Sequence, residues 1–173
     1  MKSILILGGS GFIGNCLYKE LAPYYNTFAT YNTAKGYQKN QHFFQYSLEQ
    51  GGLESILKEV KPKLIISALR GDFNAQLEAH DFLINLIKKS DCRFLYLSSA
   101  NVFDSFEHYP SYEYDKTLSE SVYGHFKIKI QLIKKPTILE LKFSSYGIIN
   151  VNKSIINQNP IVKTVKNKIK PKY

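Results

Sequence analysis

With 173 residues and 44% apolar content, the chain has room for one domain with a sizeable core and none for a second. No apolar run approaches the roughly 20 residues of a membrane span, and the glycines from 8 to 14 break the only apolar stretch near the start, so neither a membrane anchor nor a secretory leader is expected. The formal charge of +9 lies at one end: residues 1–127 carry 13 basic and 13 acidic side chains, whereas 128–173 carry 10 lysines and the single acid Glu140, which argues against nucleic acid as the partner of the body of the chain.

The first predicted element is Ser3-Ile4-Leu5-Ile6-Leu7, an apolar run that suits one fully buried strand. It leads directly into Gly8-Gly9-Ser10-Gly11-Phe12-Ile13-Gly14. Glycines at 8, 11 and 14 leave a strand-to-helix turn bare of side chains, so a pyrophosphate can lie against backbone N–H groups at the positive end of a helix dipole. A helix is expected from Phe12 to Leu21, with Phe12, Ile13, Cys16, Leu17, Leu21 and Ala22 as its core face. A tight turn without ligand is the plainer reading of the same glycines. Their place, after an apolar strand and before an amphipathic helix, is the context a dinucleotide fingerprint requires.

Thr27 to Tyr31 and His42 to Tyr46 read as the second and third strands, Leu53 to Val60 as a helix ended before Pro62, and Lys63 to Ala68 as the fourth strand. A helix from about Asn74 to Ser90 shows Leu77, Phe82, Leu83, Leu86 and Ile87 at roughly helical spacing. Arg93 to Ser98 is a fifth strand, Ser119 to about Ile133 a helix, and Thr137 to Phe143 a sixth strand. This alternation predicts a doubly wound parallel α/β sheet of the Rossmann type in a single domain over 1–149, followed by a basic, poorly ordered tail over 150–173. Such a sheet opens a crevice beside the carboxyl ends of its first and fourth strands. The glycine turn, the turn Ser67-Ala68-Leu69-Arg70-Gly71 and Ser98-Ser99 all face it. The long polar-aromatic stretch between Ser99 and Ser119 is either functional or disordered. Cys16, on the core face of the first helix, and Cys92, just before a strand, lack metal-ligand spacing and read as reduced, structural thiols of a cytoplasmic protein.

Tyr123-Gly124-His125-Phe126-Lys127 carries the second chemical signal. Four residues apart on a helix, Tyr123 and Lys127 share a face. An ammonium beside a phenol favours the phenolate and brings its pKa toward neutral pH, where the pair can act as acid and base. A hydroxyl from Ser99 would orient the substrate oxygen, an assembly suited to hydride transfer between a nicotinamide and a carbonyl carbon. Alone, such a Tyr–Lys spacing is an ordinary solvated helix face.

Taken together, the glycine motif, Ser98-Ser99-Ala100-Asn101-Val102-Phe103-Asp104 and Tyr123 to Lys127, in this order and at these distances, resemble the extended short-chain dehydrogenase/reductases that act on nucleotide-linked sugars. Val102-Phe103-Asp104 with Tyr112-Glu113-Tyr114-Asp115 is most similar to the dTDP-4-dehydrorhamnose reductase group, and the resemblance covers about residues 1–133. It implies reduction of a 4-keto nucleotide sugar with NADP or NAD, with a sugar-nucleotide epimerase or dehydratase, or a non-catalytic dinucleotide-binding remnant, as alternatives. It implies Ser99, Tyr123 and Lys127 as the catalytic residues, Tyr123 being the acid/base and Lys127 also holding the ribose. Implied cofactor contacts are Gly8, Ser10, Gly11, Phe12, Ile13 and Gly14, then Tyr31, then Ser67, Ala68 and Leu69, with Tyr123 and Lys127. The expected partner is a nucleotide sugar, with no nucleic acid, membrane or metal, and a homodimer is left open.

Several residues depart from that family's pattern. No Asp or Glu occurs between Glu20 and Glu49, so the second strand ends at Tyr31-Asn32 without the carboxylate that would bond an NAD ribose; Lys35 and Lys39 lie just beyond, which leans toward NADP. Tyr46-Ser47-Leu48-Glu49 stands where an Asp is common near the adenine, and Arg70 either approaches a phosphate or is merely solvated. About thirty basic, unpatterned residues follow Phe143 where the family carries its sugar-binding region. A truncated or frameshifted gene, or a shortened homologue, is therefore expected, with cofactor binding but very weak or absent turnover.

Overall fold

The computed structural model describes residues 2–103, 116–133, 138–144 and 147–150, the last two stretches as backbone. The predicted tail from 151 onward, Asp104 and the acidic-aromatic segment 112–115 lie outside these residues. The described chain forms two compact units that divide within one strand, after Leu95.

The first unit is built from β1 (Ser3–Leu7), α1 (Phe12–Leu21), β2 (Asn26–Tyr31), β3 (Phe43–Gln45), α2 (Leu53–Val60), β4 (Leu64–Ser67), α3 (Phe73–Ile87) and the start of β5 (Arg93–Ser99). Its strand order is β3-β2-β1-β4-β5. β1 pairs in parallel with both β2 and β4, with Leu5 opposite Phe28 on one side and Ile65 on the other, and β2 pairs in parallel with β3. The chain walks outward from β1 to β3, then returns past β1 to β4 and β5. Right-handed crossovers that walk in opposite directions lay helices on opposite faces, which makes the sheet doubly wound. The Rossmann-type class expected from the sequence is the class observed.

Strands covered on both faces need apolar residues at every position rather than at alternate ones. Ile4, Leu5 and Ile6 of β1 and Leu64, Ile65 and Ile66 of β4 are accordingly all buried. Leu17 and Leu21 of α1, Leu53, Ile56 and Val60 of α2, and Leu83, Ile84 and Ile87 of α3 cover them. Each such side chain contributes on the order of 1.5–3 kcal/mol when fully buried. α2 stops where expected: Lys61 takes a left-handed conformation (φ 46°), its N–H donates to the Leu57 carbonyl, and Pro62 follows.

Three expectations about these helices are corrected. The inward face of α1 is Gly14, Leu17 and Leu21, whereas Phe12, Ile13, Cys16 and Ala22 are exposed, because a helix on one sheet face hides only a narrow arc and the apolar arc of the sequence is wider. Cys16 is therefore a surface thiol, while Cys92 is buried. On α3, Phe82 and Leu86 are exposed and the buried row runs through Gln76, His80, Leu83, Ile84 and Ile87.

In the second unit, β5 continues through Ser98 and Ser99 into a short 3-10 turn at Ala100–Phe103, and α4 spans Val122–Leu132. α4 begins later than Ser119. Ser121 is its cap, its hydroxyl accepting from the Gly124 N–H at 2.9 Å. The strand order here is β5-β6-β7, with β6 (Ile138–Ser144) antiparallel to β7 (Gly147–Asn150), a strand that the sequence pattern did not announce.

Candidate functional site

Gly8, Gly11 and Gly14, three of the four glycines after β1, have three different jobs. Gly8 holds φ +78°, and a Cβ there would stand 2.6 Å from the Ala68 carbonyl oxygen, so it seats the turn against the end of β4. A Cβ on Gly14 would collide with the Gly8 carbonyl and come within 2.8 Å of the Gly9 Cα, so it lets α1 close onto the turn. Gly11 is different. Its missing Cβ would meet only the Gly8 oxygen, at 3.3 Å, and its φ of −74° is ordinary. A Cβ there would be tight against backbone rather than blocked by it, so Gly11 is the least constrained of the three by packing.

Gly11 is also the N-cap of α1, and with no side chain it makes no side-chain cap bond. The amides of Phe12, Ile13 and Gly14, in the first turn of α1, precede the first intrahelical bond, Asn15 N–H to the Gly11 carbonyl at 2.8 Å. No acidic residue occupies that turn. The helix start thus offers N–H donors and a positive dipole end, the donor set a pyrophosphate fits.

A crevice of about 210 Å³ opens beside this turn, lined by Gly8, Ser10, Gly11, Tyr31, Ala68 and Leu69 among the anticipated residues. Phe12, Ile13, Gly14 and Ser67 are not in its lining. Ser67 is buried, and its hydroxyl lies 2.8 Å from His80 Nε2. The lining also contains Thr30, Asn32, Tyr46, Leu48, Glu49, Arg70, Gly71 and Asp72. Thr30 pins the glycine turn twice, its hydroxyl accepting from Gly8 N–H at 2.8 Å and its carbonyl from Ser10 N–H at 3.2 Å. Nothing in the sequence marked it, since a threonine in a strand is unremarked until its partner is known. Behind Tyr31 the rings of Tyr37, Phe43 and Tyr18 follow one another, with centroid steps of 6.2, 4.4 and 4.6 Å.

Both carboxylates of the crevice are engaged. Glu49 accepts from the Ser47 hydroxyl at 3.0 Å, and Asp72 caps α3, taking the N–H groups of Asn74 and Ala75 at 2.9 Å. Arg70 is the cation of the lining, and among the described residues no carboxylate lies within ion-pair distance of it. Lys35 and Lys39 are exposed and not part of the lining.

The expected catalytic residues lie in the second unit. Lys127 is only 7% exposed, and its ammonium donates to the Leu97 carbonyl at 3.2 Å. It also lies over the rings of Tyr96, Tyr123 and Phe126, at 4.8, 5.3 and 5.6 Å from their centroids. Burial lowers its pKa to about 8. The structure thus brings Tyr123 and Lys127 together on α4, with Tyr123 partly exposed. Ser99, at the end of β5, is held locally: its hydroxyl donates to Asn101 Oδ1 at 2.7 Å and accepts from the Asn101 N–H at 3.2 Å. Gly124 lets α4 press against Ser119 and the Asn101 carbonyl, both of which a Cβ would strike. Among the described residues no cluster of His, Cys, Asp and Glu could hold a metal, and no helix is long and apolar enough to cross a membrane.

A family model, "NAD dependent epimerase/dehydratase family", matches residues 4–135. The chain belongs to the NAD-dependent epimerase/dehydratase family. This family membership joins the glycine turn and the Tyr123–Lys127 helix in one matched region. In fold, this epimerase/dehydratase chain is similar to a hypothetical dTDP-4-dehydrorhamnose reductase from Sulfolobus tokodaii (22% identity, TM-score 0.71, covering 83% of this chain and 56% of that one). It is also similar to the Bordetella bronchiseptica enzyme WbmG in complex with NAD (18%, TM-score 0.67, 82% and 52%) and to UDP-glucose 4-epimerase from Brucella ovis in complex with NAD (17%, TM-score 0.67, 83% and 52%). The chain spans about half the length of these structures. A sequence search of the curated proteins finds no match.

Proposed function

We propose that the chain is the dinucleotide-binding part of a sugar-nucleotide oxidoreductase, with the pyrophosphate of NADPH or NADH at the N-terminus of α1 and the adenosine half toward Tyr31, Asn32 and Tyr46. The observation that carries this reading is the start of α1 at Gly11, a helix cap with N–H donors and no acidic residue in its first turn, beside a crevice whose cation is Arg70. The bound nicotinamide supplies hydride transfer. Tyr123 moves the proton to or from the sugar oxygen, Ser99 bonds that oxygen, and Lys127 biases Tyr123 toward its ionised form. The nucleotide-sugar substrate and cytoplasmic setting follow from the family and belong to this proposal, as does reduction at a 4-keto carbon. Epimerisation or dehydration of a nucleotide sugar is the second reading, favoured by the family's description and by the epimerase among the structures of similar fold.

The preference is for NADPH. No carboxylate stands at the end of β2 to bond a ribose 2′-hydroxyl, and Glu49 and Asp72 each already use one oxygen, on Ser47 and on the start of α3. Titrating NADPH and NADH by fluorescence at fixed salt tests this, and tighter NADPH binding is expected. Tighter NADH binding would reverse the preference, and binding of neither would remove the reading.

A further inference from the structure

Two polar side chains interrupt the buried apolar face of α3. Gln76 and His80, 3% and 1% exposed, stand one turn apart in the row that continues through Leu83, Ile84 and Ile87. An amide and an imidazole in such a place are unfavourable unless bonded. Both are bonded, and their bonds reach one short segment. Gln76 Nε2 donates to the Gly71 carbonyl at 2.9 Å, and His80 Nε2 lies 2.8 Å from Ser67 Oγ. His80 Nδ1 lies 2.5 Å from the Gln76 carbonyl. A carbonyl only accepts, so Nδ1 carries the proton and, in the neutral ring, Nε2 accepts from the Ser67 hydroxyl.

Ser67 and Gly71 bracket Ala68, Leu69 and Arg70, three residues of the crevice lining. The same segment seats the glycine turn, since the Ala68 carbonyl occupies the space beside Gly8. Gly71 holds φ +128°, so the loop it ends does not take an ordinary extended or helical course there. We infer that Gln76 and His80 are positioning residues for the dinucleotide crevice, fastening the Ser67–Gly71 loop from behind so that it stands as one wall. They touch no ligand themselves; they act through the backbone of Ala68 to Gly71. This rests on the dinucleotide reading of the crevice.

The test uses the 173-residue chain, with NADPH and NADH as probes and amide hydrogen exchange of residues 68–71 in the cofactor-free protein. Gln76→Met keeps the length of the side chain and removes the donor; His80→Leu removes the acceptor. Each is expected to keep its unfolding midpoint within a few degrees, to exchange the loop amides faster, and to raise Kd about tenfold, the equivalent of one net hydrogen bond. His80→Gln, whose amide can meet Ser67, is expected to restore most of the affinity. Folded variants with unchanged Kd and unchanged exchange at 68–71 would overturn the inference. If His80→Leu does not fold, Ser67→Ala cuts the same bond from the loop side, and unchanged affinity and exchange in it count equally against the inference. Failure of the wild-type chain to bind either cofactor would instead overturn the dinucleotide reading, while the exchange rates would still report whether the fastening exists.

Discussion

The Lys127 ammonium sits over the face of the Tyr123 ring, 5.3 Å from its centroid, and spends a hydrogen bond on the Leu97 carbonyl at 3.2 Å. A cation over the π face is attracted to the ring's negative quadrupole. The cost is desolvation, which brings its pKa down to about 8.

That cost gives a pH dependence with a defined sign. A lysine whose pKa falls from 10.5 to about 8 on folding binds fewer protons in the native than in the unfolded state between those values. Stability contributed at this site therefore rises with pH through that window and is lowest below it. Lys127→Met removes the buried charge and leaves the Leu97 carbonyl short of one donor, so a net gain of about 1–2 kcal/mol is expected at pH 7. Thermal melts from pH 7 to 10.5 should show the wild type approaching the variant as pH rises. A constant gap across that range would show that Lys127 is not the source.

Gly11 and Gly14 separate ligand space from packing space. Gly11→Val should leave the fold nearly intact and abolish dinucleotide binding, because its side chain enters the space beside the helix cap. Gly14→Ala should destabilise the fold by about 1–3 kcal/mol, because its Cβ meets the backbone of Gly8 and Gly9, which cannot swing aside. Urea unfolding and cofactor titration of both variants read the two effects independently. Normal binding by Gly11→Val would make the turn only a turn.

The two thiols should differ in reactivity. Cys16 is exposed on α1, whereas burial pushes the Cys92 thiol up to about 12 even with Lys63 opposing the shift. An aromatic disulfide reagent at pH 8 should modify one thiol per chain quickly and the second only in denaturant. Peptide mapping that found Cys92 modified first in the native protein would contradict the burial described for it.

Arg70→Gln should weaken NADPH and NADH alike by roughly tenfold, the range of one charge-assisted hydrogen bond, and flatten the salt dependence of binding. Arg70 is exposed, so the unfolding midpoint should hardly move. A loss confined to NADPH would place Arg70 on the ribose phosphate, and no loss would make it a solvated charge.

Much of the fold was legible because it depends on short-range rules. Continuous apolar runs at Ser3–Leu7 and Leu64–Ser67 suit strands covered on both faces, and Pro62 marks the end of α2. Glycines at 8, 11 and 14 announced the turn, since backbone that must approach other backbone or a ligand tolerates no Cβ. That Tyr123 and Lys127 share a helix face followed from their spacing.

Partners distant along the chain decided the rest. Phe12, Ile13 and Cys16 are as apolar as Leu17, yet only the residues facing β1 and β2 are hidden, and the sheet sets that direction. Nothing in the spacing of α3 singled out Gln76 and His80, whose bonds reach Gly71 and Ser67. Thr30 became the pin of the glycine turn, and one oxygen each of Glu49 and Asp72 found a partner, through bonds that no periodicity records. Residue type and spacing determined which elements form and where a dinucleotide could enter. The orientation of each helix on its sheet, and with it which polar groups are paired, buried or left to meet a ligand, is settled only when residues far apart in sequence exclude water together.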